Sequence, residues 1–443
     1  MRMQKISSIS VIGLGKLGLC MAGCFADGGF KVIGVDIDAD KIEKTNKGIA
    51  SVEETGLSEL IKRAKNNLTA TQDYSAAVLN SEVSFVVVAT PSLADGSFSN
   101  EYLEKSLHRI GEALKQKKAY HLVVLTSTVM PQTVEKVAKF ILEKTSGKIC
   151  GRDFGIAYNP EFIALGSVIR DFLNPDFILI GEMCKRDGNI LEKIYKKTCE
   201  NNPRFARMSP LNAEITKLAL NCYMTLKITF ANSLAAICEK VKGADAYIIS
   251  QALGMDGRIG AKYLRPGLGY GGPCFPRDNV AFSALARRFD AKARLSDVVD
   301  EVNRDQVLRV IIRIKEITLT MPKNKRPIKV GILGLSYKQN TPVIEDSQAL
   351  AIAQSLANEG YKVSVYDPQA QENARSVLGD AVKYAKNTGD CLKSADIGVI
   401  AVPWDEFKNI NAKRLNKKII LLDCWRLLKN IKGIDIKYLG TGR

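Results

Sequence analysis

Between Pro266 and Val280 the chain reads Pro-Gly-Leu-Gly-Tyr-Gly-Gly-Pro-Cys-Phe-Pro-Arg-Asp-Asn-Val. Glycine lets a backbone pass close to a ligand and proline fixes it there, so the composition suits a rigid loop that presents one side chain. Two readings follow. Either Cys274 is a nucleophile with a carboxylate, Asp278, four residues beyond it, or the stretch is an ordinary turn around a structural thiol. Other residues could join it in chemistry. Glu214, Lys217 and Asn221 occur at i, i+3 and i+7 of a helix-compatible stretch, Leu211 to Val241, and therefore share one face. An amine and an amide one turn apart can reach a single oxygen together, although exposed helical Lys and Asn are also commonplace. Glu161 is the lone carboxylate of an apolar turn, Asn159-Pro160-Glu161-Phe162. Desolvation there would raise its proton affinity and suit it to base work, whereas a surface glutamate would do neither. With only two histidines, His108 and His121, acid and base roles fall to Lys, Asp and Glu.

The elements that must position these groups start near the N-terminus. An apolar strand, Ser8 to Leu14, delivers Gly13-Leu14-Gly15-Lys16-Leu17-Gly18 into a helix-compatible run, Leu19 to Ala26, and a second strand, Lys31 to Val35, closes in Asp36. Strand, G-x-G-x-x-G, helix, strand and acid form the pattern that sets a pyrophosphate on a helix N-terminus and a ribose hydroxyl on a carboxylate. Asp36 would repel a 2′-phosphate, which favours NAD over NADP. Strands at Val83 to Ala89 and His121 to Thr126 lead into Thr90-Pro91 and Ser127-Thr128, where the ligands of a doubly wound sheet gather. Capping of the following helices is the plain alternative for those hydroxyls. Further short strands are expected at Gly155 to Tyr158 and Phe177 to Ile180.

Past the thiol loop a charged helical region, Asp297 to Ile317, reaches a basic linker, Met321 to Pro327. A second α/β unit begins there: strand Ile328 to Leu333, turn Gly334 to Lys338, helix Ser347 to Glu359, strand Tyr361 to Val365 and then Tyr366-Asp367-Pro368. Strands at Ile397 to Val402 and Lys418 to Asp423 are expected to complete this sheet. It echoes the first unit without the G-x-G-x-x-G, and Lys338 could meet a phosphate instead, so a different nucleotide is expected here. The fold class is thus α/β, two Rossmann-like doubly wound domains joined by a long central helix. The domains are expected at 1–205 (NAD-binding), 206–317 (central, with a dimer-forming helix and the thiol loop) and 318–443 (binding the second nucleotide).

A chain of 443 residues, 46% hydrophobic and 25% charged, is that of a folded multidomain protein. The formal charge of +17 could signal nucleic acid, an acidic membrane surface or a phosphorylated small molecule. Short clusters at Lys115 to Lys118 and Lys323 to Arg326 form no basic stripe interleaved with aromatics, so a generally cationic surface is the better reading, with neither nucleic acid nor membrane as partner. Ten cysteines without a paired C-x-x-C read as thiols of a reducing cytoplasm. The apolar run Ile9 to Phe25 is interrupted by glycines and lacks a convincing cleavage site, so it reads as fold rather than signal peptide.

Taken together, these motifs resemble the UDP-glucose/GDP-mannose dehydrogenase family of nucleotide-sugar 6-dehydrogenases over nearly the whole chain. The resemblance is carried by Gly13 to Gly18 with Asp36, Thr90-Pro91, Ser127-Thr128-Val129, Asn159 to Phe162 and Asp171 to Asp176. Glu214, Lys217 and Asn221, Arg258-Ile259-Gly260, Gly267 to Asp278, Gly334 to Lys338 and Tyr366-Asp367-Pro368 complete it. It implies a four-electron oxidation of a sugar C6 alcohol to a carboxylate with two NAD, through a cysteine thiohemiacetal and thioester. UDP-glucose to UDP-glucuronate is the expected reaction, and a UDP-N-acetylhexosamine or GDP-mannose the alternative substrate. It also implies a homodimer, with no metal.

By the same resemblance Cys274 is the nucleophile, Lys217 and Asn221 stabilise the oxyanion, Asp278 organises Lys217 and a water, Glu161 is the base for hydrolysis, and Thr128 lies near water and cofactor. NAD would meet Gly13, Gly15, Lys16, Leu17, Gly18, Asp36, Thr90, Pro91, Ser127, Thr128 and Lys338. The sugar nucleotide would meet Phe162, Leu165, Lys217, Asn221, Tyr263, Gly269, Tyr270, Gly271, Phe275, Tyr337 and Lys338, with Arg258 reaching the site of a neighbouring subunit. The chain departs from the family at Leu165, where a second Glu is usual, at Glu345, where a substrate-binding Arg is usual, and at Arg277, where Lys is common. Phe162 leans toward the glucose and mannose branches. A single-hydride hydroxyacid dehydrogenase, which needs no thiol, and a catalytically silent nucleotide-sugar-binding protein are the rival readings.

Overall fold

The computed structural model describes residues 6–322, 327–411, 415, 418–429 and 431–442. The basic cluster Lys323 to Arg326, and with it most of the expected linker, lies outside the described residues. The chain folds as two compact units that divide between Ala219 and Leu220, inside a helix of 29 residues, Pro210–Cys238. Residues 206–219 of the expected central domain therefore fold with the first sheet, and residues 220–317 with the second. Proline is favoured at the first helical position, where its missing N–H is not needed, and the helix starts there, one residue earlier than expected.

The first unit holds eight strands: β1 (Ser8–Ile12), β2 (Lys31–Val35), β3 (Leu68–Thr71), β4 (Val83–Val86), β5 (His121–Leu125), β6 (Phe154–Tyr158), β7 (Phe177–Glu182) and β8 (Arg204–Met208). Their order is β3-β2-β1-β4-β5-β6-β7-β8, and all neighbours are parallel except β6 and β7. Helices cover both faces, so inner strands can be apolar throughout. All residues of β4, β5 and β6 are buried. Alternate residues feed two cores: Leu122 and Val124 point to one face with Phe25, Phe85 and Phe172, and Val123 and Leu125 to the other with Leu107 and Leu142. Phe25 lies 4.9 Å from Phe85 and 5.4 Å from Phe172, ring to ring, and truncating such a side chain to alanine costs ~3–5 kcal/mol.

The second unit repeats the plan with β9 (Lys329–Leu333), β10 (Lys362–Tyr366), β11 (Lys383–Tyr384), β12 (Ile397–Ile400), β13 (Ile420–Asp423) and β14 (Asp435–Tyr438), ordered β11-β10-β9-β12-β13-β14 and parallel throughout. The sheet is not completed by Ile397 and Ile420 segments as expected, since β14 adds a further edge. Among the described residues four strands escape the sequence pattern, β3, β8, β11 and β14, and each is an outermost strand of its sheet. An edge strand packs against one neighbour only and tolerates polar residues, so it shows no apolar run. The stretch Pro266 to Val280 is likewise not a loop throughout: it becomes helix at Phe275, and that helix runs to Arg288.

The two units carry the same turn. Gly13 (φ 98°) and Gly334 (φ 99°) end β1 and β9, and their amides donate to Val35 O and Tyr366 O at 2.7 and 2.8 Å. The next amides, of Leu14 and Leu335, donate to Asp36 Oδ2 and Asp367 Oδ2, both at 2.7 Å. The copies then diverge. Asp367 is buried and also accepts from Ser336 N, Ser336 Oγ, Trp404 Nε1, Gln369 N and Ala370 N, so its lone pairs are consumed by the protein.

Candidate active site

In the first unit the glycine motif makes a tight strand-to-helix turn. A Cβ at Gly18 would lie 1.8 Å from Gly13 O, so only glycine permits the helix to start this close to the strand. Gly15 caps the Lys16–Asp27 helix, with Lys16 and Leu17 in its first turn and no acidic side chain there. Unsatisfied N–H groups and the positive end of the helix thus stand where a pyrophosphate would bind. Asp36 Oδ1 accepts from Asp38 N at 3.0 Å and Oδ2 lies 3.5 Å from Lys41 Nζ, which leaves acceptor capacity that Asp367 lacks. The residues present therefore fit a dinucleotide in the first unit. At the carboxyl ends of β4 and β5, Thr90 Oγ1 donates to Thr128 O (2.7 Å) and Ser127 Oγ to Val88 O (2.6 Å). These hydroxyls tie the two strand ends together, and Pro91 follows in an exposed position.

Glu161 belongs to the same unit, in the turn after β6. Burial pushes its carboxyl up to about 7, against a hydrogen bond from Tyr195 and the charge of Lys217, which pull it down. Lys217 Nζ donates to the main-chain oxygen of Glu161 at 2.7 Å and sits 4.6 Å from the centre of the Phe162 ring. Phe162 in turn packs against Phe177 at 5.1 Å, and Leu165 packs on the core beneath. Glu214, expected on the face of Lys217, is fully buried and does something else: it accepts from Gln132 N (2.6 Å) and Val134 N (2.8 Å) in the segment that follows Ser127 and Thr128. Burial also pushes Glu214 up to about 7.

In the second unit Cys274 is exposed and caps the N-terminus of the Phe275–Arg288 helix. Its carbonyl accepts from Asp278 N at 2.9 Å, which closes the first turn of that helix. Asp278 is buried and takes a hydrogen bond from Asn221 Nδ2 at 2.6 Å, with Arg277 Nε 3.5 Å from its other oxygen. Lys217 and Asn221 are one turn apart on the unbroken long helix. The loop before Cys274 is held by its backbone: Gly267 N to Asn232 Oδ1 (2.9 Å), Gly269 N to Gln348 Oε1 (2.7 Å), Tyr270 N to Asn303 Oδ1 (2.9 Å) and Gly272 N to Glu345 O (2.9 Å). A Cβ at Gly269 would lie 2.1 Å from Asn303 Oδ1 and from Gln348 Nε2. Glycine is required there by protein packing. Sequence reasoning had no signal for these amide pins, which come from three separate helices.

Tyr270 is buried and its hydroxyl donates to Asp300 Oδ1 (2.8 Å) while accepting from Asn279 Nδ2 (2.9 Å). Tyr263 is exposed, has a left-handed backbone (φ 64°) and packs its ring 6.2 Å from Phe275, as Tyr270 does; a left-handed aromatic residue is strained, and strain of that kind collects at functional sites. Tyr337 packs at the loop, where a Cβ on Gly272 would meet its ring, and Lys338 Nζ lies 5.9 Å from the Tyr337 ring centre. A Cβ at Gly271 would lie 2.2 Å from Asp346 O. Arg258 is highly exposed and pairs with Asp256 at 2.6 Å. Glu345 is exposed.

Two α/β units whose sheets share the order of six strands, joined by one helix and opened in the first unit by a dinucleotide-type glycine turn, define a two-unit Rossmann-type dinucleotide-binding protein. The chain belongs to the UDP-glucose/GDP-mannose dehydrogenase family: residues 7–199 match its NAD binding domain, 211–305 its central domain and 331–430 its UDP binding domain. It is therefore a nucleotide-sugar dehydrogenase. It is 37% identical over 435 residues to the UDP-glucose 6-dehydrogenase AglM of Haloferax volcanii, spanning 97% of this chain and 99% of that one. The GDP-mannose 6-dehydrogenase of Azotobacter vinelandii is 36% identical over 367 residues, 82% of this chain and 81% of that one. Among solved structures, a UDP-glucose dehydrogenase from Pyrobaculum islandicum superposes with a TM-score of 0.86 at 32% identity, covering 100% of this chain and 99% of that one. Among the described residues no helix is long and apolar enough to cross a membrane.

Proposed function

We propose that the protein oxidises the C6 alcohol of UDP-glucose to the carboxylate of UDP-glucuronate, with Cys274 as the covalent nucleophile. The observation that carries this reading is Cys274 itself, an exposed thiol at a helix N-terminus whose first turn also holds Asp278, hydrogen-bonded to Asn221. A helix N-terminus favours negative charge, and hence the thiolate. NAD, held by Gly13, Gly15, Lys16, Leu17, Gly18, Asp36, Thr90, Pro91, Ser127 and Thr128, supplies the hydride acceptor.

The thiolate of Cys274 adds to the C6 aldehyde and keeps it bound as a thiohemiacetal. Asn221 has two amide N–H groups; one is spent on Asp278, and the other donates to the oxyanion on C6, together with the ammonium of Lys217 from the same helix face. Water then cleaves the thioester, with Glu161 as its base. Phe162, Leu165, Tyr263, Gly269, Tyr270, Gly271, Phe275, Tyr337 and Lys338 are assigned to the sugar nucleotide, with Lys338 also in reach of a phosphate. UDP-glucose is supported by the match to a UDP binding domain at 331–430 and by the 37% identity to a UDP-glucose 6-dehydrogenase over 97% of the chain.

The three-domain division at 205 and 317 is kept as the functional division, one region for NAD, one for the thiol loop and one for UDP. A homodimer is supported by exposed Tyr223, Phe230 and Ile237, spaced by seven residues on the long helix, which form an apolar seam. Exposed Arg258 is assigned to the partner's substrate. None of the ten cysteines is in a disulfide, which suits a cytoplasmic enzyme.

Purified protein given NAD and UDP-glucose should release two NADH per sugar. No NADH with UDP-glucose, but turnover of GDP-mannose or a UDP-N-acetylhexosamine, would overturn the substrate and keep the chemistry.

A further inference from the structure

Tyr195, on the helix Lys185–Thr198, has one hydroxyl proton and two acceptors. Its Oη lies 2.5 Å from Asn159 Oδ1 and 2.7 Å from Glu161 Oε1. Asn159 cannot turn its amide to relieve the shortage. Its Nδ2 already donates to Leu179 O at 2.9 Å, and a flipped amide would set oxygen against oxygen there. Both residues are buried, Tyr195 at 0% and Asn159 at 1% exposure, away from bulk water.

Two proton arrangements satisfy these distances, each at a different state of Glu161. When the carboxyl is protonated, it donates to Tyr195 Oη and Tyr195 donates to Asn159 Oδ1, and every group is paired. When the carboxylate is ionised, Tyr195 must turn its proton to Glu161, and Asn159 Oδ1 loses its donor in a buried site, which costs ~1–3 kcal/mol. We propose that Tyr195, opposed by Asn159, is a positioning residue whose hydroxyl switches between these two acceptors and so sets the pH at which Glu161 becomes a base. This rests on the reading of Glu161 as the hydrolytic base. The groups that face Glu161 are Tyr195 from the Lys185–Thr198 helix and Cys199 just past its end, Lys217 from the long helix and Cys24 from the first helix; the two thiols are pushed upward by burial and stay neutral. The raised proton affinity of Glu161, about 7, agrees with the acid arrangement at rest.

In the hydrolysis, a water O–H bond breaks and its proton goes to Glu161. The water oxygen bonds the thioester carbon, and the C–S bond breaks with its electron pair on the Cys274 sulfur. Nothing is oxidised or reduced. Glu161, now protonated, donates again to Tyr195, whose proton swings back to Asn159. The carboxyl must lose that proton to solvent before the next turnover.

The test is a pH titration of the Glu161 carboxyl in the full-length protein by isotope-edited infrared spectroscopy, with Glu161→Gln assigning the band, alongside the pH profile of kcat. Tyr195→Phe removes the donor to the carboxylate and should move the midpoint up by about one pH unit. Asn159→Leu removes the competing acceptor and should move it down by about half a unit or more. Opposite shifts are expected, whereas general damage to the fold would move both variants the same way. Midpoints that stay put, or move together, overturn the proposal. If Asn159→Leu does not fold, Tyr195→Phe alone decides it, a downward or absent shift being fatal. Midpoints that shift as expected while the kcat profile does not would retain the switch and overturn Glu161 as the hydrolytic base.

Discussion

Asn221 Nδ2 donates to Asp278 Oδ2 at 2.6 Å, and Asp278 is 1% exposed. Removing either partner leaves the other buried and short of a bond, at a cost of ~1–3 kcal/mol. Asp278→Ala should therefore lower both stability and turnover. Asn221→Ala should lower kcat by about 10²-fold through the lost oxyanion donor. Denaturant midpoints and initial rates read the two effects separately, and an Asn221→Ala enzyme with unchanged kcat would remove that residue from the oxyanion site.

Cys274→Ser should abolish oxidation to the acid, with a loss on the order of 10³-fold or more in NADH release. Because Cys274 is exposed, the substitution disturbs no core, and the melting temperature should stay within a degree or two of wild type, about the change seen for surface substitutions. Full turnover by the serine variant would point instead to a single-hydride enzyme.

The Asp36 carboxylate holds the Leu14 amide and is assigned to the cofactor ribose. Asp36→Ala should raise the KM for NAD about tenfold and narrow the preference over NADP. Steady-state kinetics with both cofactors would check it; an unchanged ratio would free Asp36 of cofactor selection and leave it as an anchor for the glycine turn.

Glu214 is raised from its ordinary 4.5 to about 7. The folded chain then binds more protons than the unfolded chain between those values, so the stability that Glu214 contributes below pH about 4.5 is lost as pH rises through about 7. Amide exchange at Gln132 and Val134, corrected for intrinsic rates, should show more frequent opening at about pH 8 than at about pH 5, and Glu214→Gln should remove that dependence. Tryptophan emission would miss it, since Trp404 and Trp425 both lie in the other unit.

Phe230→Glu places a charge in the apolar row of Tyr223, Phe230 and Ile237. If that row is a dimer seam, sedimentation should show wild type as a dimer and the variant shifted to monomer at micromolar concentration. A monomeric wild type would overturn the assignment.

The inner strands β1, β4, β5, β9 and β12 were legible as apolar runs, because a strand covered by helices on both faces has no polar side to hide. The long helix was legible from its freedom from Gly and Pro after the first position, to within a few residues at either end. Spacing alone also placed Lys217 and Asn221 on one helix face, and the strand-glycine-helix-acid order located the dinucleotide turn in the first unit. In the second unit the same order was visible, yet only the folded structure showed Asp367 encircled by six donors and so closed to a ribose.

What tertiary structure decided were the contacts made between residues far apart in sequence. Glu214 and Lys217 share a helix, but one clamps the amides of Gln132 and Val134 and the other meets the carbonyl of Glu161. Tyr195 belongs to no motif, and its bearing on Glu161 arises only where its helix crosses the turn after β6. Cys274 itself came from composition, as a thiol among glycines and prolines. Its place at the start of a helix, rather than inside a loop, came from folding, where Asp278 N bonds back to the Cys274 carbonyl and the Asp278 carboxylate meets Asn221, 57 residues away in sequence.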